Sequence, residues 1–277
     1  MQNDSLKLLL GKLLSERLEW KSSLADVEFS VYSQFGDDGI IQYLIKQVDT
    51  TNRFFVEFGV ENYLESNTRF LLENNNWSGL VMDGSKENIS FIKKQTFFWK
   101  HDVQAICSFI TAENINELLA NVPSKIGLLH IDIDGNDYWI WKAMNKIEAD
   151  IVIMEYNSVF GNERAITVPY EPDFVRYKKH HTALYAGVSL AALCDLAEER
   201  GYYFVGSNSA GNNAYFVRKE VIGKLKPLTP KEGYVESKFR ESRDKAGNLD
   251  FLRGSERLDA IKGMPVYNTR QNAIEKL

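Results

Sequence analysis

Cysteine is scarce in this 277-residue chain: Cys107 and Cys194 are its only two. They lie far apart, each in an apolar setting, and neither belongs to a Cys-x-x-Cys or Cys/His spacing. Free core thiols are the expected state, which excludes a disulfide-stapled scaffold and a thiolate zinc centre. Long apolar runs are also missing, and nothing approaches the ~20 residues a membrane span requires. At the leucine-rich start, Lys7, Lys12, Glu16, Arg17 and Glu19 break the run too soon for a signal-peptide core, so a cytoplasmic location is expected. Positive charge is in deficit, with 33 Lys and Arg against 38 Asp and Glu and a net charge of −5. A duplex-sized phosphate surface needs clustered cations, so nucleic acid is not an expected partner. The local run Arg176, Lys178, Lys179 suits one anionic group. Repeats and low-complexity linkers are absent as well. The balance of 44% hydrophobic and 26% charged residues is that of an ordinary globular chain with a large core.

What is present is an alternation of apolar runs and helical periodicities. Leu6, Leu9, Leu10, Leu13, Leu14 and Leu18 keep helical spacing, which predicts an amphipathic helix within residues 1–20 and offers a surface for a homodimer. The turn Ser33-Gln34-Phe35-Gly36-Asp37-Asp38-Gly39 leads into a predicted helix at 40–47, with its acids at the positive end of the helix dipole. Strands are predicted at 54–60, 79–82, 96–99, 126–133 and 151–154, separated by helices at 65–74, 86–94, 115–120 and 137–146. A helix at 190–200 precedes strands at 202–205 and 214–218, joined by a short turn. Continuous apolar strands are buried on both faces, as in a parallel sheet covered by helices. The expected fold is therefore α/β, a Rossmann-like, doubly wound, mostly parallel seven-stranded sheet closed by a C-terminal antiparallel hairpin. That is the arrangement of class I methyltransferases. An N-terminal helical extension (1–31), this core (32–219) and a polar C-terminal extension (220–277) are the expected parts.

Ligands of such sheets bind at the carboxyl ends of the strands. Acids collect there: Glu57 beside Gly59, Asp83 beside Gly84 and Ser85, then Asp102, Asp132, Asp134 and Glu155. A carboxylate just after the second strand can accept hydrogen bonds from both hydroxyls of a ribose, which fits Asp83. Asp83 or Ser85 can equally cap the helix that follows. The loop Glu57-Phe58-Gly59-Val60-Glu61-Asn62 lacks the G-x-G-x-x-G pattern that surrounds a pyrophosphate, which disfavours NAD and FAD. An acidic loop suits S-adenosylmethionine, whose sulfonium and ammonium are cationic.

Ile131-Asp132-Ile133-Asp134-Gly135-Asn136-Asp137-Tyr138, followed by Lys142-Ala143-Met144, resembles the I-D-x-[ED]-G-x-E motif and trailing helix of FkbM-like methyltransferases. Val56-Glu57-Phe58-Gly59-Val60 resembles the first-strand motif of macrocin-type sugar O-methyltransferases, and Ser33–Asp38 is similar to an S-Q-x-G-E-D segment of related bacterial proteins. The first loop departs from the FkbM-like pattern in lacking its second glycine. The resemblance implies methyl transfer from S-adenosylmethionine to a hydroxyl of a sugar, nucleotide-sugar or glycan. It implies cofactor contacts at Glu57 and Gly59, a ribose ligand at Asp83 with Gly84 and Ser85 alongside, and Asp132 facing the methyl group. Asp102 is assigned to the adenine by position, and Gln34 and Asp38 are further cofactor candidates. The acceptor proton needs a base, for which His180 and His181, in the long segment 160–186, and Asp132 are available. Asp132, Asp134 and Glu155 can instead hold Mg²⁺, which lowers the pKa of the acceptor hydroxyl. The competing reading is a non-catalytic nucleotide- or glycan-binding module on the same fold.

Overall fold

Five parallel strands run side by side: β1 (Phe54–Phe58), β2 (Ser78–Asp83), β3 (Val103–Cys107), β4 (Lys125–Ile131) and β5 (Glu148–Glu155). A computed structural model describes residues 2–19, 22–50 and 52–277; Met1 and Trp20, which bound the segment read as an N-terminal helix, lie outside the described residues. The chain continues through β6 (Ile166–Thr167), β7 (Tyr202–Ser207), β8 (Asn213–Arg218), β9 (Pro265–Asn268) and β10 (Ala273–Lys276). The main sheet has the order β3-β2-β1-β4-β5-β8-β7, in which β8 runs antiparallel to both β5 and β7. This is the expected class I methyltransferase arrangement, and its strand order reverses direction between β1 and β4.

Alternate residues of each strand enter two cores. Val56, Phe58, Met82, Leu129 and Ile131 pack with Trp141 and Leu193 from helices Asp137–Ala143 and Leu190–Glu199. Phe55, Val81, Leu128 and Ile153 pack on the other face with Ile40, Leu44, Leu71 and Ile92 from helices Asp37–Gln47, Arg69–Asn75 and Lys86–Lys93. A third cluster joins Phe160, Ile166, Phe174 and Tyr185 to Ile261 and Val266 of the C-terminal residues. There β9 pairs with both β6 and β10.

Two local expectations change. Residues 96–99 are not the third strand but part of the short helix Thr96–Lys100, in which Phe97 is buried. The strand is Val103–Cys107, at the edge of the sheet, where buried Val103 and Ala105 alternate with exposed Gln104 and half-buried Ile106, and Cys107 ends it exposed. An edge strand needs apolar residues on one side only, so the aromatic run beside it carried the stronger apolar signal. Cys107 is accordingly exposed, not a core thiol. The helix Gln2–Glu16 docks through Leu8, Gly11 and Ser15, and most of its leucines face outward.

Candidate active site

The carboxyl ends of β1, β2, β4 and β5 open into one cavity of 760 Å³. Its lining carries nine carboxylates (Asp37, Glu57, Glu61, Glu65, Asp83, Asp132, Asp134, Glu155 and Glu241) against Arg176 and His130. A cavity of this charge concentrates cations and repels phosphates.

Its floor is a tight crossing of two backbones. Gly59, at φ +74°, leaves β1 so close to β4 that an added Cβ would lie 1.6 Å from the Asp132 carbonyl oxygen. No L-residue with a side chain fits there without moving that chain.

Beneath the floor, parallel register sets Glu57 opposite His130. The Glu57 carboxylate accepts from the Asn67 N–H (3.0 Å), the Thr68 N–H (3.1 Å), Ser66 Oγ (2.7 Å), Thr68 Oγ1 and His130 Nδ1 (3.0 Å). Burial works to raise its pKa, but the hydrogen bond and charge of His130 and the two hydroxyls outweigh it and hold the carboxyl below its usual range. For His130, burial opposes protonation, while Glu57 and then Asp132 more than compensate and raise its pKa. These bonds also explain why the helix expected from residue 65 starts at Arg69: the backbone of 67 and 68 is committed to Glu57.

The ends of β4 and β5 are the opposite case. One carboxylate oxygen from each of Asp132, Asp134 and Glu155 lies within 4.8 Å of the others. Asp134 takes the left-handed conformation, φ +59°, before Gly135. Arg176 Nη1 donates to Asp134 at 2.5 Å, whereas among the described residues no ion pair reaches Asp132 or Glu155. Desolvation and then the charges of Glu155 and Asp134 push Asp132 well up. Desolvation and then Asp134 and Asp137 raise Glu155 to about 8, against the pull of Arg176. Like charges at this spacing cannot all ionise without a cation.

At the end of β2, Asp83 Oδ2 accepts from the Glu61 N–H at 2.9 Å, and Oδ1 accepts from the Ser85 N–H at 2.8 Å and Asn88 Nδ2 at 3.1 Å. Ser85, not Asp83, caps Lys86–Lys93, its hydroxyl accepting from the Asn88 N–H. Gly84, Ser108, Phe109 and Ile110 complete this side of the cavity.

Of the residues singled out from sequence, Gln34, Glu57, Gly59, Asp83, Gly84, Asp132, Asp134 and Glu155 therefore share one lining, and Ser85 stands outside it as a cap. Asp102 precedes β3, at the opposite end of the sheet, where its carbonyl accepts from the Gly79 N–H. The misplaced third strand had carried it to the wrong edge. Asp38 is buried away from the cavity, with Oδ2 accepting from the N–H groups of Val31, Tyr32 and Ser33 at 2.7–2.8 Å; burial raises it to about 6 against those bonds. Its neighbour Asp37 is the one in the lining, bound by Asn208, Asn213 and Tyr215. His180 and His181 lie side by side outside the lining, their rings tilted at 35°, and His180 also bonds Thr182 at 2.8 Å. Burial, then His181, lowers the His180 pKa. Phe239 and Glu241, from the C-terminal extension, were not anticipated and form part of the wall.

No protein-family model matches the sequence, and no curated protein does. Among solved structures the chain is similar to the N-terminal domain of EvdMO1 with SAH bound, at 12% identity over 74% of this chain and 93% of that one, TM-score 0.42. It is also similar to the O-methyltransferase from Bacillus cereus in complex with SAH, at 12% identity over 76% and 90%, TM-score 0.43. A putative O-methyltransferase from Klebsiella pneumoniae is similar at 11% identity over 76% and 90%, TM-score 0.42.

Proposed function

We propose that the protein is an S-adenosylmethionine-dependent O-methyltransferase acting on a hydroxyl of a sugar, nucleotide-sugar or glycan. The observation that carries this reading is the acidic cavity at the reversal of strand order, with Asp83 in the ribose position and unneutralised Asp132 and Glu155 beside it. Asp83 Oδ2 spends one lone pair on Glu61, leaving acceptor capacity for ribose hydroxyls. The carboxylates suit a sulfonium and an ammonium, and the lack of a phosphate loop is no handicap.

The acceptor end lies between β4, β5 and the Asn212–Asn213 turn. Phe35 and Phe239 stack there with centroids 5.8 Å apart and offer apolar faces to a sugar ring. The Oδ1 atoms of Asn136 and Asn213 are buried in this lining with no hydrogen-bond partner among the described residues.

The donor set of Asp132, Asp134 and Glu155 fits a hard divalent cation such as Mg²⁺, which would supply Lewis acidity toward the acceptor hydroxyl. The chain itself aligns acceptor oxygen, methyl carbon and sulfur for an in-line displacement. Without the cation, a carboxylate of the Asp132–Glu155 pair is the base for the hydroxyl proton; with it, those carboxylates would be its ligands and the lowered pKa of the hydroxyl would ease the same transfer. Glu57 positions His130 and the 66–68 turn and touches no reacting atom. Calorimetric titration with S-adenosylhomocysteine tests the assignment: micromolar binding is expected, and no heat at millimolar ligand would sink it.

A further inference from the structure

The helix Gln2–Glu16 is docked with its small residues inward. Gly11 lies against Val31 and Phe70, so close that an added Cβ would stand 2.4 Å from Val31 Cγ2, and Ser15 Oγ bonds back to the Gly11 carbonyl at 2.8 Å. Leu6, Leu9, Leu10, Leu13 and Leu14 are 46–56% exposed. At 100° per residue they form one continuous stripe on the side opposite Leu8, Gly11 and Ser15. Covering the helix with its own body would need the reverse orientation.

We infer that this stripe is the interface with a second copy of the chain, the two N-terminal helices packing leucine to leucine about a two-fold axis. Five half-exposed leucines leave on the order of 400 Å² of apolar surface per chain, as large as the patches that mark interaction sites. Two copies remove roughly 800 Å², and the stems of flanking Lys7, Lys12 and Glu16 bring the total to the roughly 1,000 Å² at which specific interfaces begin. A lipid surface fits less well. The helix carries two lysines against the two acids Asp4 and Glu16 and has no aromatic residue, whereas interfacial helices are basic on the polar face and carry Trp or Phe on the other.

Sedimentation equilibrium of the full chain from low micromolar to about 100 µM tests the inference, with a micromolar monomer–dimer constant expected. The double variant Leu9→Lys/Leu13→Lys is expected to be monomeric throughout, with unchanged circular dichroism and unchanged S-adenosylhomocysteine affinity, because no residue of this helix lines the cavity. A Leu10→Cys variant made with Cys107→Ser is expected to crosslink on mild oxidation, which checks the contact without removing more than one leucine. A wild-type monomer at the highest concentration overturns the inference. So does a dimer that survives the two lysines, or co-sedimentation of the wild type with anionic phospholipid vesicles that the two lysines abolish.

Discussion

Two groups of carboxylates meet at the same cavity and have opposite fates. Glu57 is buried and receives five hydrogen bonds, and its pKa is held low. Asp132 and Glu155, at the ends of β4 and β5, form no ion pair among the described residues, and their pKa values are driven up. Burial is the first influence on both. What separates them is whether the fold has already supplied the compensating charge and donors. The first group is completed by the protein's own donors; the second is not.

The comparison breaks most visibly at Glu57. Glu57→Ala strands the Ser66, Asn67, Thr68 and His130 donors in the interior, and removing one partner of a buried pair costs about 3–5 kcal/mol. Chemical denaturation should show that loss. A change below about 1 kcal/mol, the scale of one exposed ion pair, would mean that the network contributes nothing beyond the packing.

At the other group the same operation should cost binding and not folding. Asp132→Asn with Glu155→Gln is expected to lower divalent-cation affinity by about 100-fold or more, read by Mn²⁺ paramagnetic resonance, while the thermal midpoint at pH 8 stays level or rises. Equal Mn²⁺ binding in both proteins would remove the cation reading.

The pH dependence sharpens this contrast because the signs differ. Glu155 is raised from 4.5 to about 8 in the folded chain, so between those values the folded state holds a proton that the unfolded state has lost. Its contribution is complete below pH 4.5 and disappears as pH rises through 8. Glu57 is shifted down, so its contribution is present above 4.5 and is lost as acid protonates the folded carboxyl. The midpoint of the cation-free protein should therefore fall from pH 6 to pH 8.5, and Glu155→Gln or added Mg²⁺ should flatten that fall. A slope that Glu155→Gln leaves intact would place the proton elsewhere.

In the sequence the positions of both groups were easier to read than their states. Acids at strand ends are visible as soon as the apolar runs are, so Glu57, Asp83, Asp132, Asp134 and Glu155 reached one cavity as expected. Their state was not visible, because it depends on which residue stands opposite. The Glu57–His130 register across β1 and β4 is set by packing over 73 positions of chain. Asp37 and Asp38 are adjacent in sequence but about 100° apart on their helix, so one lines the cavity and the other ties down the turn before it. Asp102 was misplaced because an alternating edge strand reads more weakly than the aromatic helix before it. Phe239 and Glu241 come from a polar tail whose return depends on pairings such as that of β9 with β6, for which no local signal exists.

Asp83 and Ser85 provide a smaller version of the same comparison, two residues apart. Asp83→Ala is expected to weaken S-adenosylhomocysteine at least about tenfold, since a carboxylate that accepts from ribose is a charge-assisted partner, and to leave the chain folded. Unchanged affinity would make Asp83 a structural residue of the Glu61 and Asn88 turn.

Ser85→Ala should do the reverse. Ser85 Oγ accepts the Asn88 N–H at 3.2 Å and also donates to Glu87 at 3.1 Å, and loss of a serine cap costs about 1 kcal/mol. The cofactor should not register it, because the hydroxyl lies outside the lining. The informative quantity is the pair of differences: stability lost with affinity kept at Ser85, affinity lost with stability kept at Asp83. If both variants move both quantities together, ligand site and cap are one coupled turn, and the division between completed and uncompleted side chains stops short of β2.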